Sequence, residues 1–290
     1  MNAVASRHLL GALSLVLCCG CSMPPNEPGD WAGPKGTWQP VFTDDFDGPA
    51  GSAPNPASWN VVVDGTPYNG ELEYYTNRSN NVMLDGAGHL VLTAQREAFV
   101  DASGQASVLP YTSGRIDTHG HVAAQYGRVE TRAKLVGGKG LWPAFWMLGE
   151  DIDTVGWPSC GEVDIFELGG SNPALITGSL HAPGYYGGNA LHGHFVKEVG
   201  SFADDYHVYA FEWAADGARW LIDELPYTSR TPAGLAEQGL AWAFDKPMYV
   251  VVNLAVGGIY DGNPDSNTPM PSSVSVDWVR VSKLIPQGAQ

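Results

Sequence analysis

Residues 161–168 read Gly-Glu-Val-Asp-Ile-Phe-Glu-Leu. Three carboxylates, Glu162, Asp164 and Glu167, fall within six residues, interleaved with Val163, Ile165 and Phe166. Two carboxyl groups about 5–5.5 Å apart are what a retaining cleavage of a glycosidic bond uses, one as nucleophile and the other as acid and then base. A third carboxyl between them can hydrogen-bond a neighbour, and its charge helps keep the acid protonated near neutral pH. The alternative is a solvated edge strand dotted with charge. The apolar interleave argues against it, because it marks a central strand.

The β-branched and aromatic residues between the acids make the stretch a strand, in which alternate residues share a face. Glu162 and Asp164 therefore face one way, Val163 and Ile165 the other. Glu167 stands at an odd offset from Glu162, which points it toward the core, where a lone ionised carboxylate is very costly. A β-bulge at Ile165-Phe166 resolves the conflict: both apolar side chains turn inward and Glu167 returns to the acidic face. The four effective strand steps left between the two glutamates span about 13 Å at Cα. Side chains that lean together close this to about the gap the chemistry needs.

The elements around this strand are also strands. The chain is long enough for one large β domain with a sizeable core. Its 36 Gly, 21 Pro, 10 Trp and 12 Tyr suit an all-β sandwich with many turns. Short strands are expected at 41–42, 88–94, 113–118, 126–135, 145–148, 207–213, 219–223, 248–256 and 274–281, with a hairpin turn at Asp223-Glu224. Residues 248–256 are apolar throughout and should be central. Helix signals are nearly absent, with one or two turns expected at 232–238. No repeat and no second domain is seen. A formal charge of −16 makes nucleic acid and anionic membrane surfaces poor partners, whereas a neutral polysaccharide is compatible with it.

The first 21 residues read as a targeting segment. Arg7 precedes an apolar run over 9–17 that is too short to span a bilayer. The run ends in Cys18-Cys19-Gly20-Cys21-Ser22, which resembles a bacterial lipoprotein signal with Cys21 as the acylated residue. Cys18 stands where such signals usually carry Leu, so an ordinary cleaved secretory signal is the alternative; both imply export. Residues 22–37 are rich in Pro and Gly without apolar period and read as a flexible tether. The folded domain is expected over 38–284. Three of the four cysteines lie in the signal; with Cys21 lipidated, Cys160 has no partner in its own chain, and it reads as a small buried side chain.

Further stretches complete a pattern. They are Gly70-Glu71-Leu72-Glu73-Tyr74-Tyr75-Thr76, Tyr111-Thr112-Ser113-Gly114-Arg115-Ile116, Gly140-Leu141-Trp142-Pro143-Ala144-Phe145-Trp146, Val155-Gly156-Trp157-Pro158 and Asn253-Leu254-Ala255-Val256-Gly257-Gly258. With Glu162-Val163-Asp164-Ile165-Phe166-Glu167 they make the sequence resemble glycoside hydrolase family 16, in its bacterial laminarinase-like endo-1,3-β-glucanase branch. The extra residue in the acidic motif is the laminarinase-like form. Phe166 replaces a more common Met, and Asn69-Gly70-Glu71 a more common Asn-Asn-Glu; neither change removes a catalytic group.

The resemblance implies a concanavalin A-like jelly-roll β-sandwich with an open concave cleft and the polysaccharide β-1,3-glucan as substrate. It makes Glu162 the nucleophile, Glu167 the acid/base and Asp164 the assisting acid, with no cofactor for catalysis and a monomeric chain. It places Asn69, Arg115 and His181 in the cleft. It also implies a structural calcium held by Asp277 with oxygens near Asp47 and Gly88. Sugar rings offer apolar faces on which indoles stack, so Trp142, Trp146 and Trp157 are the candidate platforms, with core packing as the alternative for each. Hydrolysis of mixed-linkage glucan or agarose, transglycosylation, and non-catalytic glucan binding share the fold and are the neighbouring readings.

Overall fold

The computed structural model describes residues 29–66, 68–99 and 109–287. The expected signal, its Cys21 and the first part of the tether lie outside the described residues. In chain order the strands are β1 (Gly36–Asp44), β2 (Asn60–Val61), β3 (Glu73–Tyr75), β4 (Val82–Leu84), β5 (Leu90–Phe99), β6 (Leu109–Ser113), β7 (Arg115–Asp117), β8 (Ala123–Ala124) and β9 (Gly127–Lys134). There follow β10 (Leu141–Gly149), β11 (Glu162–Glu167), β12 (Leu175–His181), β13 (Leu191–Val196), β14 (His207–Ala214), β15 (Gly217–Ile222), β16 (Leu225–Arg230), β17 (Met248–Val256) and β18 (Ser272–Pro286). The described helices are single-turn α1 (Ile152–Val155), α2 (Pro232–Glu237) and a 3-10 turn at Gly187–Asn189. Pro232 and the Thr231 cap start α2 where the sequence led one to expect it.

Two sheets pack face to face as a jelly-roll sandwich. One runs β16-β15-β14-β9-β18-β5-β6-β3, with β1 on β18 and β4 on β5. The other runs β13-β12-β11-β10-β17-β7-β2, with β8 on β17. The apolar strand β17 is central, as its composition requires, and every residue in it is buried. The core between the sheets takes Phe145, Val163, Phe166 and Val252 from one side and Phe211, Trp213, Trp220 and Val279 from the other. The hairpin at Asp223-Glu224 is a two-residue turn with both residues at positive φ (49° and 66°), which matches the twist of β15 and β16.

The expected bulge is present in β11. Phe166 faces Phe145 on β10 and Asp164 faces Trp146, so Ile165 has no opposite residue. On the other side β12 advances from Ser179 to Thr177 while β11 advances from Asp164 to Glu167. Val163, Ile165 and Phe166 are all at most 2% exposed. A bulge disrupts the ladder locally, and buried carbonyls need donors. The opposite sheet supplies them: Trp220 Nε1–H donates to the Asp164 carbonyl (2.7 Å) and the Tyr227 hydroxyl to the Ile165 carbonyl (3.5 Å). Position 178 on β12 must be glycine, because a Cβ there would lie 2.5 Å from the Tyr227 hydroxyl and 2.6 Å from the Trp220 ring.

The chain joins the sandwich before Trp38. Gly36 already pairs with Pro286 in β1. Further upstream the Trp31 ring covers Gly217, the Trp31 backbone N–H donates to Ser229 Oγ (3.2 Å), and Arg219 binds the Ala32 carbonyl. One docked indole does this without any apolar period, which is why the stretch reads as tether.

Trp220→Phe keeps a ring in the core and deletes the donor to the bulge. The expected outcome is a loss of about 1–3 kcal/mol in urea unfolding, the cost of a buried acceptor left unpaired. An unchanged midpoint would show that the bulge does not depend on this bond.

Candidate active site

β11 presents Glu162, Asp164 and Glu167 on one face of the second sheet. Their ladder partners are Leu148, Trp146 and Ala144 on β10, and His181, Ser179 and Thr177 on β12. Asp164 is 3% exposed and Glu167 8%, while Glu162 is partly open to solvent. Each glutamate has its own indole. Trp157 Nε1–H donates to Glu162 Oε2 at 2.5 Å, and Trp142 Nε1–H donates to Glu167 Oε1 at 3.1 Å.

Burial is the first cause of every carboxyl shift here. It pushes Glu162 up to about 8, with the neighbouring Asp164 charge adding to it. It pushes Asp164 up to about 7, while a hydrogen bond with Glu162 pulls the other way. Glu167 is raised well above the usual carboxylate range by burial, then by Asp164. The indoles oppose these shifts by bonding to the charged forms of the two glutamates. The face is thus built to retain protons near neutrality, as a general acid needs.

His181 meets this trio, its Nε2 lying 3.0 Å from Asp164 Oδ2 but off the hydrogen-bonding line. Glu162, Asp164 and His181 have the chemistry of a metal-ligand set, with ligand atoms within 4.8 Å of one another. The ring argues otherwise. Its Nδ1 accepts the Gly187 N–H (3.1 Å), which assigns the ring proton to Nε2, the atom that a metal would need bare.

The three sequence-predicted tryptophans all reach this face. Trp142 and Trp146 are both on β10 four residues apart, and the strand runs through Pro143 without a break. Trp142 stacks on Tyr260 (4.9 Å, 17°). Trp146 donates to Asn253 Oδ1 (2.7 Å) and lies under the Arg115 guanidinium (4.9 Å). Trp157 is 46% exposed at the rim, in edge contact with Tyr186 (5.3 Å). Asn69 donates to Glu71 Oε1 (3.4 Å), in a loop where Ile259 N–H bonds the Asn69 carbonyl (2.9 Å). Cys160 is fully buried in a small cluster with Leu148, Tyr249 and Val251.

Sequence reasoning missed Asn253, Ser179, His192 and Tyr260. Asn253 was findable as the lone polar side chain of an apolar strand; it orients Trp146 and receives its own partner in the Tyr75 hydroxyl (3.0 Å). His192 and His194 were findable as a period-two pair in Leu191–Val196. Ser179 and Tyr260 carry no comparable signal.

Of the expected calcium residues Asp277 is on β18 of the other sheet, while Asp47 lies just after β1 and Gly88 just before β5. Asp277 follows Val276, the ladder partner of Leu90. Asp47 Oδ1 and the Asp45 carbonyl lie 3.7 and 3.8 Å from where a Cβ of Gly88 would stand. All these donors are oxygens, which suits a hard cation. The Asp277 carboxylate is also paired with Arg132, which balances its charge.

Residues 70–280 match the family model for Glycosyl hydrolases family 16. The chain is 35% identical over 287 residues to a beta-glucanase of Rhodothermus marinus, covering 94% of each. It superposes on the endo-beta-1,3-glucanase of Pyrococcus furiosus with a TM-score of 0.81 at 40% identity, over 87% of this chain and 97% of that one. The laminarinase catalytic domain of Thermotoga maritima gives 0.79 at 39%, over 86% and 99%. A β-sandwich carrying buried, proton-retaining carboxyls among indoles is the scaffold of a carbohydrate-cleaving enzyme. This chain belongs to glycosyl hydrolases family 16.

The crowded carboxyls set a stability trend. A carboxyl whose pKa is raised by folding binds more protons in the folded than in the unfolded state between the two values. Stability therefore falls as pH rises from about 4.5 through about 8 for Glu162. Glu162→Gln removes this penalty. Its melting temperature should exceed that of the parent by several degrees at pH 8 and converge with it near pH 4.5. A gain that is equal at both pH values would contradict the assignment of burial and mutual repulsion as the cause.

Proposed function

We propose that the chain is a retaining endo-1,3-β-glucanase acting on laminarin-type glucans. The observation that carries this reading is the arrangement of Glu162, Asp164 and Glu167 on one strand face, in a family 16 chain similar to endo-1,3-β-glucanases. Burial holds a proton on Glu167, which delivers it to the glycosidic oxygen as the bond to the anomeric carbon breaks. Glu162 carboxylate attacks that carbon from the opposite face and forms a glycosyl-enzyme. Glu167, now a carboxylate, takes a proton from water; the water displaces Glu162, and configuration is retained. Asp164 repels charge on Glu167 and so favours a protonated acid, while the ionised form of the nucleophile Glu162 is favoured by the Trp157 N–H and by His181. Trp142, Trp146 and Trp157 offer faces to sugar rings, with Asn69, Arg115 and His181 at their hydroxyls. A net charge of −16 suits a neutral polymer.

The proposal extends to the cell. The N-terminal segment directs export, with Cys21 as the lipid attachment point in a bacterial membrane or, with an ordinary signal, release of a secreted chain. The enzyme works as a monomer. A calcium ion held by Asp277, with oxygens at Asp47 and Gly88, would add to stability by binding only the folded state.

Wild-type enzyme should release short oligosaccharides from laminarin. Glu162→Gln should lose that activity by about 10⁴-fold or more while still binding laminarin on an affinity gel. Binding with no cleavage by the parent on laminarin, mixed-linkage glucan or agarose would establish a recognition module instead. For the ion, EDTA should lower the melting temperature by several degrees and added calcium should restore it; no response to either would remove calcium from the account.

A further inference from the structure

Ser179 and His192 stand behind the acid/base and have no part in the steps above. Ser179 is fully buried on β12, opposite Asp164 in one ladder and His192 in the other. Its hydroxyl donates to Glu167 Oε2 at 3.4 Å and lies 2.9 Å from His192 Nδ1. Glu167 Oε1 is held separately by Trp142. Both oxygens of the acid/base thus face a protein donor, one from each neighbouring strand.

A hydroxyl has a single hydrogen. When Ser179 gives it to Glu167, His192 Nδ1 must carry a proton and donate to Ser179 Oγ. When Glu167 is protonated and needs no donor there, the hydroxyl is free to turn its hydrogen to His192, whose ring proton then sits on Nε2. Either arrangement satisfies every member with a neutral ring. Neutrality is favoured on site: burial holds His192 down to about 4, helped by His181, His194 and Arg230. His181 lies 6.4 Å away and His194 6.2 Å.

We propose that Ser179 and His192 form a reversible hydrogen-bond arm that positions Glu167 and matches its two protonation states, donating to it when it is a carboxylate. Both are positioning residues, and the proposal rests on Glu167 being the acid/base. The arm acts most in the second half of the reaction, when the carboxylate must take a proton from water. It opposes burial and the charges of Glu162 and Asp164 on the same strand. The other titratable groups around Glu167 are His181 on β12, His194 on β13, Tyr227 on β16 and Tyr260 after β17. Of these His181 alone favours the carboxylate, and it faces Asp164 rather than Glu167 directly. Loss of the arm must therefore appear as a higher pKa for Glu167.

The test is the pH dependence of kcat and kcat/KM on laminari-oligosaccharides for wild type, Ser179→Ala, Ser179→Thr, His192→Phe and the double variant Ser179→Ala/His192→Phe. In Ser179→Ala the basic limb of kcat/KM should move up by about one pH unit, and kcat at neutral pH should fall about tenfold. Ser179→Thr keeps the hydroxyl and should restore both. His192→Phe should move the limb in the same direction by less, and the double variant should match Ser179→Ala, because the two act in series. A basic limb that stays in place in Ser179→Ala, or losses that add in the double variant, would overturn the proposal. Melting temperatures identify a variant that is merely unfolded; if that is Ser179→Ala, the shift of the basic limb in His192→Phe carries the decision, and an unmoved limb there overturns the proposal. Wild-type cleavage of laminarin that depends on Glu162 stands or falls separately, so the two readings cannot be confused.

Discussion

A single unpaired residue, Ile165, holds the site together. Glu162 and Glu167 are five positions apart, an odd number, and a regular strand would send one of them into the core. The bulge removes one step and buries Ile165 and Phe166 instead. It also leaves carbonyl groups that the ladder does not satisfy in the usual way. Trp220 and Tyr227, on the opposite sheet, reach across the core to those carbonyls, and the approach leaves room only for glycine at 178. The second sheet is therefore more than a backing layer. It fixes the bend that aims the carboxyls.

What the bulge assembles is electrostatically unfavourable. Three carboxyls share one partly dry face and each is raised by burial before anything else. A fold optimised for stability alone would replace them. The surrounding donors are arranged to keep the cost tolerable: one indole for each glutamate, the His181 ring beside Asp164, and Ser179 behind Glu167. Reactivity and instability here have the same origin, since the burial and, after it, the repulsion that weaken the fold also favour a proton on Glu167.

Much of this was legible in the sequence because it rests on local rules. The period-two pattern, the odd offset of Glu167 and the high cost of a buried charge were enough to locate both strand and bulge. The turn at Asp223-Glu224 and the short helix at Pro232 were likewise written in neighbouring residues. What the sequence did not reveal depends on contacts between distant segments. Ser179 looks like any strand serine until β13 brings His192 beside it. Tyr260 is a loop tyrosine until it stacks on Trp142. Trp31 looks like part of a tether until it meets Gly217, a residue nearly two hundred positions away whose lack of a side chain makes the socket.

The central claim is that Glu162 attacks the sugar directly while Glu167 handles the proton. The anomeric configuration of the first product tests it most directly. Proton NMR of laminarin during the first minutes of digestion, before mutarotation, distinguishes the two stereochemical courses. The account predicts that the new reducing ends appear first as the β-anomer, by two displacements at one carbon. First appearance of the α-anomer would mean a single displacement by water. Glu162 would then be a base acting through that water rather than the nucleophile.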